Sequence, residues 1–72
     1  MRLSPDQYQT LARLRRLPDG RAFIALLEAE LEEVRTALRT ATGERLGWLQ
    51  GEAQCLAGWL ERVAKAEERS GR

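Results

Sequence analysis

Apolar residues recur along this chain at the three- and four-residue steps of an α-helix. From position 23 they fall at Phe23, Leu27, Leu31, Val34, Leu38 and Ala41. From position 46 they fall at Leu46, Leu49, Ala53, Leu56, Leu60 and Val63, the most regular run in the chain. Each run draws one apolar stripe along a helix, close to a heptad repeat. A shorter stripe, Tyr8, Leu11 and Leu14, precedes them. Charged residues take the opposite faces: Arg13 and Arg16 on the first segment, and Glu28, Glu32, Arg35 and Arg39 on the second. Four glutamates on that second segment read as a solvated helix face.

The breaks between stripes carry their own chemistry. Ser4-Pro5-Asp6-Gln7 reads as a helix start, with Ser4 as cap, Pro5 in the first helical position and Gln7 closing a capping box. Pro18 disfavours a helical backbone at Leu17. Asp19 is then the expected cap of the second helix, its carboxylate at the positive end of the helix dipole. Thr40-Ala41-Thr42-Gly43 marks the second break, with Thr42 as cap and Gly43 turning the chain tightly. The predicted fold is all-α. A long antiparallel hairpin spans about 20–41 and 43–68, and a short helix over 5–16 packs across it. Residues 1–72 form one helical domain in this reading, with a frayed tail at 67–72. Leu27, Leu31, Val34, Leu38, Leu49, Leu56, Leu60 and Val63 are the expected core.

The third segment carries more than one stripe. At 100° per residue, Trp48, Cys55 and Trp59 gather roughly 100° from the centre of its leucine stripe. Beside them lie Gly47, Gly51 and Gly58. Each helical glycine costs about 1 kcal/mol relative to alanine, so close approach by another backbone or ring is the expected compensation. Two readings follow. In one, the first helix lies over this face and covers both tryptophans. In the other, Trp48, Gly51, Cys55, Gly58 and Trp59 stay open and dock a second copy or another protein, as tryptophan-rich hot spots do. The first helix is only about 18 Å long. It covers both tryptophans only if it runs nearly parallel to the third.

Composition narrows the chemistry. The chain has 72 residues, no histidine and one cysteine. A Cys/His zinc site and an internal disulfide are excluded within one chain, and the usual base for a serine or cysteine nucleophile is missing. Cys55, placed mid-helix, reads as a small buried apolar residue. No glycine-rich phosphate loop or paired-carboxylate metal motif is present, so the reading is a non-enzyme without cofactor or metal. No apolar run approaches the roughly 20 residues of a membrane span, and the N-terminus does not read as a signal peptide. Net charge is +1, distributed unevenly. Residues 1–21 hold five Arg against two Asp, whereas 22–41 hold four Glu against two Arg. Arg13, Arg16 and Arg21 could touch phosphates, but no segment makes a good recognition helix, so nucleic acid is a minor reading.

The segment Leu49-Gln50-Gly51-Glu52-Ala53-Gln54-Cys55-Leu56 follows a helix carrying Phe23-Ile24-Ala25-Leu26-Leu27 and Glu30-Leu31-Glu32-Glu33-Val34-Arg35. Over roughly residues 18–63 this order resembles small helical proteins encoded among the virion-assembly genes of tailed bacteriophages. The resemblance implies a phage origin and a role on or near the virion, in the host cytoplasm or incorporated in the particle. It carries no catalytic residues and names no partner. The expected function is a protein-interaction or minor structural component, acting as a homo-oligomer or docked to a larger phage protein. The alternative is a phage-encoded regulator that inhibits a host protein, and the third reading is a weak nucleic-acid binder using the Arg-rich N-terminal half.

Overall fold

The computed structural model describes residues 2–70. Three helices follow one another: α1 (Pro5–Arg16), α2 (Pro18–Leu38) and α3 (Gly43–Ser70), and no strand occurs among the described residues. The start of α1 carries its capping box. The Gln7 backbone N–H donates to Ser4 Oγ at 3.3 Å, and the Ser4 N–H donates to Gln7 Oε1 at 2.8 Å. Two backbone donors that the first turn would leave orphaned are thereby satisfied.

The first break is tighter than expected. Leu17 alone separates α1 from α2, extended at φ −80° and ψ 141°, as a residue before proline should be. It ends one helix and starts the next. Asp19 is therefore not the cap of α2 but sits in its first turn, where its carboxylate still faces the helix dipole. So short a joint brings α1 down onto the start of α2. A Cβ built at Gly20 would overlap the Leu14 carbonyl oxygen, so only glycine fits there.

Gly20 fixes which line of α2 faces inward. Ile24, Leu27, Leu31, Val34 and Leu38 all lie within about 40° of it on the helix wheel, and all are buried or half-buried. Phe23 lies about 60° off that line and is 51% exposed, contrary to its expected place in the stripe. On α3, Leu46, Leu49, Ala53, Leu56 and Leu60 are half-buried and Val63 is buried. Two alanines complete the interior, Ala12 on α1 and Ala66 on α3, the latter only 1% exposed.

α2 ends at Leu38, three residues earlier than the apolar stripe implied. Its last amides close on the carbonyls three residues back, Arg39 to Thr36 and Thr40 to Ala37, which tightens the end of the helix. Ala41 and Thr42 then carry the chain over, and Gly43 enters α3 at φ +63°, a backbone conformation that L side chains rarely adopt.

α2 packs on α3, and α1 packs on both. An α1–α3 contact falls at the end of α3, within the stretch from 67 onward that reads as a frayed tail in sequence. Arg15 Nε pairs with Glu67 at 2.8 Å, and the Arg69 guanidinium lies 4.5 Å from the Tyr8 ring centroid. These partners lie more than fifty positions apart in sequence, so no helical pattern in the tail itself signals them. Residues 71–72 of the expected tail lie outside the described residues.

The molecule measures 44 × 25 × 15 Å, with a radius of gyration of 14.2 Å. A compact chain of this length would have a radius near 11 Å. Its accessible surface is 5615 Å², against about 4,500 Å² for a compact monomer of this mass.

Candidate interaction surface

Trp48, Cys55, Trp59 and Ala66 are spaced by seven, four and seven residues, so they occupy one face of α3. α1 meets the far end of that face, at Ala66, Glu67 and Arg69. From Ala66 back to Trp48 is about 27 Å along the helix, whereas α1 is about 18 Å long. Trp48 therefore stands clear of it and is 74% exposed.

Between these ends the face is graded. Trp59 is half-buried, with the Arg62 guanidinium 4.9 Å from its ring centroid, a cation–π contact that shields one side of the indole. Gly58 is half-buried beside the same arginine: a Cβ there would lie 3.6 Å from Arg62 Nη1. Cys55 is exposed and its thiol free, which corrects the expectation of a small buried residue. The leucine stripe already occupies the inward side of α3, and Cys55 lies off it.

Gly47 and Gly51 are exposed, and a Cβ at either would meet nothing within 4 Å. The close approach expected at these glycines does not occur within the chain. It occurs instead at Gly20, the position at which the second helix was expected to begin.

The three arginines proposed for phosphate contact divide. Arg13 and Arg16 line a surface groove of about 530 Å³ with Tyr8 and Ala12 of α1 and Ala66 and Arg69 of α3, while Arg21 does not. Arg13 Nη2 donates to Thr10 Oγ1 at 3.3 Å. Among the described residues, no acidic side chain lines the groove. Arg69 was not singled out from sequence, because its neighbours there are the polar tail residues and its partner Tyr8 lies on another helix.

Among the described residues no group of three His, Cys, Asp or Glu side chains could hold a metal ion, and no polar or charged side chain is buried. No helix is long and apolar enough to cross a membrane. No protein-family model, curated protein or solved structure matches the chain.

Proposed function

We propose that this chain is a non-enzymatic interaction protein, an antiparallel helix hairpin clasped at one end by α1, that docks onto a larger protein through the open end of the α3 face. Exposed Trp48 carries this reading. A large aromatic side chain standing beside two glycines with open space above them makes a flat apolar platform that a partner helix or loop can approach closely. Trp59, held by Arg62, borders the platform. The phage setting and a minor structural or assembly role in the virion rest on the resemblance over residues 18–63.

The test is particle composition. Virions purified from cells expressing the wild-type chain should contain it in a fixed ratio to the major structural proteins. Trp48→Ala should be lost from particles while keeping its helical circular dichroism. Particles that never contain the wild-type chain would remove the virion role. A Trp48→Ala chain incorporated as well as wild type would remove the docking role of the face. Association of the purified wild-type chain that Trp48→Ala abolishes would assign the platform to a second copy instead.

A further inference from the structure

We infer that the chain also associates head to tail with a second copy, the basic groove between α1 and α3 of one molecule receiving a flank of α2 from the next. This inference does not rest on the Trp48 platform. It rests on two surfaces of opposite character. The groove presents Arg13, Arg16 and Arg69 around Tyr8 and Ala12, with no acidic residue among the described residues of its lining. The flank lies about 60–140° round α2 from Gly20 and presents Phe23, Leu26, Glu30 and Glu33. All four are exposed, Phe23 at 51% and Leu26 at 67%. Arg21, Arg35 and Arg39 fall on the other side of α2, so this flank carries carboxylates and no cation.

The match is one of form as well as charge. Phe23 to Glu33 spans about 15 Å of helix, close to the roughly 18 Å of α1 that borders the groove. Two apolar anchors followed along the helix by two carboxylates match a groove lined both by small and aromatic side chains and by guanidinium groups. Guanidinium–carboxylate pairing would fix the register. None of the flank residues lines the groove of its own molecule, so the pairing must be made between copies. A stable interface removes about 800 Å² from each partner. The surface this chain exposes beyond that of a compact monomer is of that order. Because the two surfaces differ, the contact is heterologous and repeats from copy to copy.

Sedimentation velocity over a concentration series tests this. The wild-type mass should rise above 8.2 kDa with concentration at low ionic strength and fall back at high salt. The double variants Glu30→Gln/Glu33→Gln and Arg13→Ala/Arg16→Ala should each associate about tenfold or more weakly. Each retains one intact surface, so mixing them should restore a dimer that grows no further. Trp48→Ala should associate as wild type does. A wild-type chain that stays monomeric at low salt overturns the inference. So does either double variant that associates as well as wild type. So does a mixture that stays monomeric while wild type associates, since that outcome requires a symmetric contact.

Discussion

Gly20 and Gly51 are both glycines inside helices, yet they make opposite demands. At Gly20 any side chain collides with the Leu14 carbonyl, a backbone atom that cannot step aside without opening the α1–α2 joint. Gly20→Ala should therefore destabilise the protein by about 2 kcal/mol or more, despite alanine's higher helix propensity. At Gly51 a methyl group meets nothing within 4 Å. Gly51→Ala should then stabilise the isolated chain by about 0.5–1 kcal/mol. Urea denaturation of the two variants, followed by circular dichroism, reads both signs in one experiment. Sequence places Gly20 at the start of the second helix and Gly51 within the third, but neither position tells what passes over it. The difference lies in whether another segment, distant along the helix axis but adjacent in space, passes over the position. Cys55 was misplaced for the same reason: its burial depended on where α1 stops, which no property of residue 55 encodes.

Among the elements, the stripes were legible because helical periodicity is a local property. α1 begins and ends where its capping box and Pro18 place its limits. Leu31, Val34 and Val63 are buried as their spacing implied. The end of α2 was harder to place. α2 stops at Leu38 because its last amides turn back to close a tighter loop, whereas the last turns of α3 carry an ion pair to α1 through Glu67. The alanines at the α1–α3 contact were missed because a methyl side chain adds little to a hydrophobic stripe while permitting close packing. Three predictions belong at this scale. Leu31→Ala removes a side chain that is 6% exposed and should cost about 2–4 kcal/mol, measured by thermal or urea unfolding. Arg15→Ala removes only a partly exposed ion pair and should cost less than about 1 kcal/mol. Deleting residues 67–72 takes away the Glu67 and Arg69 contacts together. Amide hydrogen exchange should then quicken along α1 well before it quickens along α2.

For the whole molecule, the excess of surface is the leading fact. A slab 15 Å thick is little more than one helix diameter deep, so each helix has one covered side and at least one side in water. An interior built from so few buried residues leaves the fold marginal, and any partner that binds only the folded form adds to its stability by mass action. The apparent melting temperature should accordingly rise with protein concentration under conditions where copies associate, and stay fixed at high salt. Differential scanning calorimetry at two concentrations distinguishes these cases. The one-residue joint at Leu17 has a separate consequence for how copies meet. Pro18 keeps Leu17 extended and so keeps α1 folded back. Replace Pro18 with alanine and nothing in the backbone prevents residues 5–38 from becoming one unbroken rod of about 51 Å, longer than the present molecule. An α1 swung out on such a rod no longer reaches the end of its own α3, but it can reach that of a neighbour. Pro18→Ala should therefore trade the internal clasp for an exchanged one, giving an interlocked dimer whose α1 segments are reciprocally donated. Small-angle X-ray scattering would register it as a larger radius of gyration that high salt does not reverse.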